Sequence, residues 1–431
     1  MAAAFNCGNF SFPSSMSTGT PPSAPFRSLC TDCGVSRSSD PKRCGRACQF
    51  IAPDYQALEQ QVHGRARDAR RVDELHFGPL RRMWRASLKT PLEGAQWTGI
   101  TTRLGERLLE SGKVDAVLAM SGDPDDRWRP VPVLVTRAEE MKQCRGMRMG
   151  YAPLLSLLEP AAAQGIRRLA VIGIPCQIYA LRALERELGF EKIYVIGTPC
   201  SDNTSTENFH AFLARLEDDP SRITYLEFRA DYHVELRYDD GRSRTIPFLQ
   251  LPLSDLPSDF FPLTCRTCVD YTNVLSDITV GYMGGQGQQW LLVRNERGDD
   301  ILNLLKDEIR LEAPQTAGKR QGPVRGFLQN TLRAAGGLPL RKMPDWLRPI
   351  VGWLMPRIGP RGLEFARARV EMKAIETVIH LRREQPARLR SMAPPHIWPL
   401  VEPYGLSPEA GEQAPTHKGR SQALPVDEYR E

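Results

Sequence analysis

Ten cysteines are spread along the 431 residues, and eight of them fall into two sets of four. The first set is compact, Cys30-x2-Cys33-x10-Cys44-x3-Cys48. A metal centre needs several deprotonated thiolates converging at about 2.3 Å, and a CxxC turn supplies two from one short loop. A second close pair completes the tetrad, a pattern that unrelated surface thiols would rarely produce. Spacing alone leaves the metal open, because CxxC…CxxxC suits a structural zinc site as well as an iron–sulfur cluster.

The second set is dispersed: Cys176, Cys200 and the pair Cys265-x2-Cys268. Here position says more than spacing. Cys176 follows the apolar run RLAVIGI and Cys200 follows KIYVI, so both stand just past the carboxyl ends of expected parallel strands, where open α/β sheets bind ligands. Cys265 and Cys268 lie in a loop that can fold over the same crevice. A lone cysteine is often only a small buried hydrophobe; the argument rests on the four together. Cys7 and Cys144 remain unassigned. Two thiolate sets in one chain favour electron transfer, since zinc explains one set well and both poorly.

Other residues suggest an organic cofactor. Pro91–Arg103 (PLEGAQWTGITTR) joins small residues to Gln96, Trp97 and Thr98 and runs into a helix. A Gly-rich turn at a helix N-terminus can bind an anion, although an N-cap turn explains it equally well. The GxGxxG dinucleotide fingerprint is absent from it. Gly281–Gly287 is a second Gly-rich loop, for which a tight turn is the plainer account. Asp123, Asp125 and Asp126 in SGDPDD could donate protons, but read better as solvated turn residues.

These groups need a scaffold, and the chain is long enough for more than one core. Hydrophobic content of 41% and charged content of 25% are ordinary for a soluble globular protein. The net charge of +6 is too small and dispersed to argue for nucleic acid; it suits an acidic electron carrier, a carboxylate substrate or an anionic membrane face. The N-terminus lacks a signal-peptide pattern, and no window approaches the roughly 20 apolar residues of a membrane span. The cytoplasm is the expected compartment, where ten cysteines point to metal or redox chemistry rather than disulfides.

Alternating patterns predict a mixed α/β fold. Val114–Met120, Pro132–Thr136, Arg168–Ile174 and Lys192–Ile196 read as strands, with a helix over Gln177–Leu188 completing a right-handed βαβ unit. Residues 222–248 read as an antiparallel meander, Ile278–Tyr282 and Trp290–Arg294 as a strand pair, and Asp299–Leu311 as a helix. The expected organisation is a disordered leader (1–27), an iron–sulfur segment with a charged helix over Asp54–Ser87 (28–87), and an α/β catalytic domain (88–312). A Gly/Pro-rich linker (313–345), a helical extension (346–385) and a Pro-rich surface tail (386–431) follow. Within the extension, Trp346–Ile358 is apolar and aromatic. It could shield a lipophilic ligand or rest on a membrane surface, but its prolines make packing against the main domain the expected role.

At these residues the sequence resembles a known family. CTDCG, PLEGAQWTGI, SGDPDDRWRPVPV, GIPCQIYALR, GTPCSDN, CRTCVDYTN, DITVGYMG and VRNERG are similar, in order, to the beta subunit of deazaflavin-reducing hydrogenases. With RIGPRGLEFARARVEMKAI, the likeness runs over about residues 28–385. It extends to the branch of ferredoxin-dependent divinyl (proto)chlorophyllide 8-vinyl reductases, related to 7-hydroxymethyl chlorophyll a reductase. The resemblance implies FAD, two [4Fe–4S] clusters, reduced ferredoxin as donor and a chlorophyllide-type tetrapyrrole as substrate. By position it carries over Cys176, Cys200, Cys265 and Cys268 as one ligand set and Cys30, Cys33 and Cys48 as three members of the other. The family's third cysteine is Ser36 here, and Cys44 is the nearby thiol that could replace it. Gly94, Gln96, Trp97, Thr98, Gly99 and Asn203 fall where the resemblance puts the flavin. It implies no catalytic acid, and the oligomeric state, homo-oligomer included, stays open. A related family reductase acting on 7-hydroxymethyl chlorophyll a or a deazaflavin, a non-catalytic electron-transfer subunit of a larger complex and a zinc-stabilised interaction protein are the rival readings.

Overall fold

The apolar runs flanking Cys176 and Cys200 are strands buried on both faces. In the computed structural model, which describes residues 30–51, 53–229, 231–257, 259–281, 288–334 and 343–413, the strands in chain order begin with β1 (Arg82–Leu88), β2 (Ala116–Gly122) and β3 (Pro130–Val135). There follow β4 (Arg168–Gly173), β5 (Lys192–Gly197), β6 (Ile223–Phe228), β7 (His233–Tyr238) and β8 (Ser243–Pro247). The last of them are β9 (Ile278–Gly281), β10 (Gln289–Val293) and β11 (Ile309–Glu312). The leader, the rest of the Gly281–Gly287 loop, residues 335–342 of the expected linker and the tail beyond 413 lie outside the described residues.

The main sheet has the order β11-β1-β10-β9-β5-β4-β2-β3. β2, β4, β5 and β9 are mutually parallel, while β10 runs antiparallel to both β9 and β1. β1 therefore points the same way as the parallel core. The carboxyl ends of β1, β9, β5, β4 and β2 share one edge, and that edge carries the Gly94–Gly99 turn, Cys200, Cys176 and SGDPDD. Alternation explains why the sheet sits inside. Leu169 and Val171 of β4, with Ile193 and Val195 of β5, pack into one core; Ala170, Tyr194 and Ile196 pack into the other. β6-β7-β8 form the expected meander as a separate sheet, turning at Gly241 with φ 81°. The 206–216 helix packs onto this sheet in its own apolar core.

Several elements differ from expectation. The charged stretch Asp54–Ser87 is not one helix. Gly64, at φ 73°, caps the helix Tyr55–His63; Val72–Phe77 is a second helix, and Arg82–Leu88 is strand β1. In β1, Trp84, Ala86 and Leu88 recur every second residue on one core face, with Arg85 and Ser87 between them. The expected helix over Asp299–Leu311 covers Glu296–Asn303, and Ile309–Leu311 belongs to the edge strand β11 beside β1. Within the expected linker, Gln321–Ala334 is helical and packs Val324 and Leu328 into the core of the Leu363–Glu384 helix. Pro323 is tolerated because it lies in that helix's first turn. The tail is not confined to the surface: Leu389, Met392, Ile397, Trp398 and Val401 are buried in the same core. Trp346–Ile358 is helical over Arg348–Ile358 and packs through Arg348 and Gly352, yet Trp346, Ile350, Trp353 and Ile358 face outward.

Candidate functional site

The dispersed cysteines come together. Cys176, in the first turn of the helix Pro175–Leu184, lines one cavity with Cys200, Cys265 and Cys268, and Asp202, Asn203, Thr31 and Gln49 are among its other lining residues. Local bonds fix the three segments that meet here. The Cys200 N–H donates to the Tyr271 carbonyl at 3.0 Å. Asn273, in the left-handed region at φ 59°, donates through Nδ2 to the carbonyls of Gly173 and Thr198 at 2.8 and 3.2 Å. One side chain thus links the ends of β4 and β5 to the loop of Cys265 and Cys268. Asn tolerates this conformation better than most residues.

Burial and mutual proximity set the chemistry of these thiols. Burial holds Cys176 and Cys200 well above the usual thiol range, and neighbouring thiols of the set add to it. Cys265 is pushed up to about 12, by burial and then by Asp202, and Cys268 to about 11, chiefly by burial. Four such groups ionise together only if positive charge joins them, as a bound metal centre would supply. Polar donors face the sulfurs: Thr31 Oγ1 reaches Cys176 Sγ at 3.6 Å, and Gln49 Nε2 reaches Cys268 Sγ at 3.7 Å. Lys373 supplies a buried cation. Its Nζ donates to Asp202 Oδ1 at 2.9 Å, the Cys265 carbonyl at 2.6 Å and Glu376 Oε2 at 2.8 Å. The donor set and its surroundings fit an iron–sulfur cluster.

The compact set also gathers. Cys44 and Cys48 lie one turn apart along the short helix Arg43–Ala47 and its end, and the Cys33 thiol is pushed up to about 12, by burial and then by Cys48, Cys44 and Cys30. Cys44 therefore belongs to the set, and Ser36 brings no thiol to it. Gly34, at φ 105°, lets the CxxC turn approach the Pro153–Ser156 backbone, where a Cβ would stand 2.5 Å from the Ser156 nitrogen. The two sets are neighbours, since Cys33 acts electrostatically on Cys176. Cys30 is exposed and Cys265 buried, so the pair of sets leads inward from the surface. Among the described residues, no three or more His, Cys, Asp or Glu side chains converge as tightly as a single metal ion requires. Cys144 stands apart, its thiol pushed up to about 11 by burial.

The Gly94–Gly99 turn holds its shape through its own neighbours. Thr98 Oγ1 accepts from the Leu88 N–H at 3.1 Å and donates to Gln289 Oε1 at 3.2 Å. The Trp97 N–H donates to Glu227 and the Ile100 N–H to Gln289, both at 3.1 Å. Two backbone donors of the supposed anion cradle are thus already met within the chain, so a phosphate held by them does not fit. Trp97 has φ 57°, a sterically costly conformation for an aromatic residue and one that recurs at binding sites.

Two family models match the chain, both describing the beta subunit of coenzyme F420 hydrogenase/dehydrogenase. Its N-terminal part matches residues 83–159 and its C-terminal part residues 166–319. A protein of uncharacterised function from Nostoc sp. is 35% identical over 89% of this chain and 95% of its own length. The chloroplastic 7-hydroxymethyl chlorophyll a reductase of Oryza sativa subsp. japonica is 34% identical over 88% of this chain and 83% of its own. The chain belongs to the coenzyme F420 hydrogenase/dehydrogenase beta-subunit family. A more distant relative, the beta subunit of the coenzyme F420 hydrogenase of Methanosarcina barkeri, is 26% identical over 50% of this chain and 75% of its own.

Both matched family segments end before the Leu363–Glu384 helix, which nonetheless delivers Lys373 to the cysteine cavity. Sequence reasoning missed Lys373, because charged residues recur along the whole Leu363–Glu384 helix and none of them marks itself as buried. Tyr151 was also missed. It lies beside the inner thiols, its hydroxyl 3.4 Å from the Asn203 carbonyl, and burial and then Cys265 raise its pKa. Asn203 lines the cysteine cavity and donates through Nδ2 to the Gly150 carbonyl at 2.8 Å. In SGDPDD, Asp123 Oδ1 accepts from the Asp125 N–H at 2.9 Å and Asp126 pairs with His210 at 2.9 Å, as turn residues do.

Proposed function

We propose that this chain is an oxidoreductase that reduces a chlorophyll-type tetrapyrrole, drawing single electrons from reduced ferredoxin through two iron–sulfur centres. The observation that carries the reading is the cavity where Cys176, Cys200, Cys265 and Cys268 meet at the sheet's carboxyl edge, with the Cys30/Cys33/Cys44/Cys48 set between it and solvent. Cys30 and its neighbours would hold the outer cluster and receive electrons at the surface. Thr31 and Gln49 bond the inner sulfurs from segments that also flank the outer set, so the chain spans the step between them. Lys373 offsets negative charge at the inner site, and such charges shift cluster potentials.

The specific reaction we propose is reduction of the 8-vinyl group of a 3,8-divinyl chlorophyllide or protochlorophyllide to ethyl. That step takes two electrons and two protons, and a flavin, the FAD implied by the resemblance, would supply the pairing of single electrons. Trp97, in its strained conformation, and Gln96 lie at the shared edge and would flank that flavin. The Thr98 and Gly99 turn supports them. No side chain stands out as the proton donor. A second reading, reduction of 7-hydroxymethyl chlorophyll a, is favoured by the likeness to the rice reductase over most of both chains.

The test begins with iron, sulfide, zinc and flavin content of anaerobically purified protein. Loaded protein and reduced ferredoxin are then offered divinyl chlorophyllide, divinyl protochlorophyllide and 7-hydroxymethyl chlorophyll a separately. An 8-ethyl product supports the vinyl reading. A 7-methyl product without any 8-ethyl product moves the assignment to the second, and zinc without iron removes both.

A further inference from the structure

The described residues expose few large apolar side chains, and four of those seven fall in one run: Trp346, Ile350, Trp353 and Ile358, at 71%, 49%, 58% and 65% exposure. One exposed tryptophan is ordinary, but two with two isoleucines on one short element form a patch. The helix Arg348–Ile358 explains how it arises. Its Gly352 faces the meander sheet, where a Cβ would lie 3.5 Å from Pro247 and 3.7 Å from Gln250. The opposite side carries Ile350, Trp353 and Arg357 at successive turns, and Trp346 continues the row one turn earlier. The Arg357 guanidinium lies over the Trp353 ring, 4.2 Å from its centroid, so the cation sits beside the apolar row.

Charge singles out the same region. Between Glu312 and Glu364 the sequence holds nine lysines and arginines and one acid, Asp345, in a chain whose total net charge is +6. This segment thus exceeds the excess charge of the whole protein. Arg320 is met by Glu364 and Glu371 and Arg348 is buried, but Arg357 stands beside the apolar row, and docking onto a second copy through this face would set it against a like charge. A folded acidic partner would be met by the charges alone and gives no use for four exposed apolar side chains. Tryptophan and isoleucine beside arginine suit the boundary between headgroups and acyl chains.

We infer that the 346–358 segment docks this protein onto an anionic lipid surface, with Trp346, Ile350 and Trp353 inserted and Arg357 at the phosphates. The segment lies on the bilayer; no described helix is long and apolar enough to cross one. The inference does not depend on the proposed reaction.

The full-length protein is sedimented with phosphatidylglycerol/phosphatidylcholine vesicles and with pure phosphatidylcholine vesicles, at low and high salt. Partition should be at least about tenfold stronger onto the anionic vesicles and weaken at high salt. The double variant W346S/W353S should lose about tenfold or more of that partition, with circular dichroism and elution volume unchanged. R357E should weaken binding to anionic vesicles and leave the small binding to neutral ones unaltered. Equal partition onto both vesicle types, or none, overturns the inference. So does a wild-type dimer that W346S/W353S makes monomeric without vesicle binding, or retention of an acidic ferredoxin through Trp353 without vesicle binding.

Discussion

At the scale of the residue, neighbours rather than types decide what each group does. His63 is half-buried, with Nε2 2.8 Å from the Val274 carbonyl and Nδ1 3.3 Å from Asn295 Nδ2, a pattern that suits the neutral ring. Burial and then Arg294 lower its pKa from 6.5 to about 3. Below pH 6.5 the unfolded chain takes up a proton that the folded chain refuses, so this stabilisation is complete above that pH. It is lost on acidification towards pH 3, by about 1.4 kcal/mol per pH unit. Denaturant midpoints measured from pH 7 to pH 5 should fall, and H63Q should flatten the slope. Cys44→Ser tests the outer set: it should remove the iron of one centre and leave the other, read as iron per chain and by low-temperature electron paramagnetic resonance. Full retention of both would mean that Cys44 is no ligand. Replacing Lys373 by methionine leaves Glu376 buried and Asp202 half-buried without their cation, a loss of about 3–5 kcal/mol. In variants that still fold, the inner cluster's potential should drop, as seen by redox titration. The cysteines were legible because their spacing is itself chemical. Lys373 and Asn273 were not, because only folding reveals that Lys373 meets Asp202 and the Cys265 carbonyl, 171 and 108 residues away, and that Asn273 meets the ends of two strands.

Elements were legible where burial is symmetrical. β4 and β5 are covered on both faces, so they read as unbroken apolar runs, and the strand–helix–strand order then implied their parallel pairing. β1 and β11 lie toward the sheet's edge, where arginine and glutamate alternate with the apolar residues and imitate a charged helix. The loops are positioned by close approaches that no pattern announces. Gly281, at the end of β9, leaves room for the Pro199 ring, and a Cβ there would stand 2.2 Å from Pro199 Cγ. Gly281→Ala should destabilise the fold by about 1–3 kcal/mol and displace the residue before Cys200, so inner-cluster occupancy should fall more than overall stability does. A buried ion pair, Arg182–Asp277 at 2.8 Å, joins the helix after β4 to the start of β9, and Asp277 also accepts from the Val195 N–H of β5 at 2.7 Å. Its carboxyl is held below the usual range because Arg182 and Arg297 outweigh the cost of burial.

At the scale of the whole molecule, the C-terminal third is part of the core rather than an appendage. Its apolar residues are scattered among prolines and arginines, so no periodicity marks them in the sequence, yet Leu389, Ile397, Trp398 and Val401 are buried against the Leu363–Glu384 helix. Each such side chain contributes about 1.5–3 kcal/mol. Truncation after Glu384 should therefore give insoluble protein, or protein with a much lower denaturant midpoint, and should also loosen the helix that carries Lys373. Soluble yield and guanidinium unfolding measure both effects.

Thr31 and Gln49 close over the inner thiols from within and just beyond the outer set. Access to the inner chamber thus requires segment 30–49 to stand aside, so the two proposed clusters would be installed in order, the deep one first and the outer one sealing it. Damage by oxygen would run the other way. Attack at the exposed Cys30 site loosens the lid before the interior is touched, so bleaching in air should proceed in two phases, the second waiting on the first.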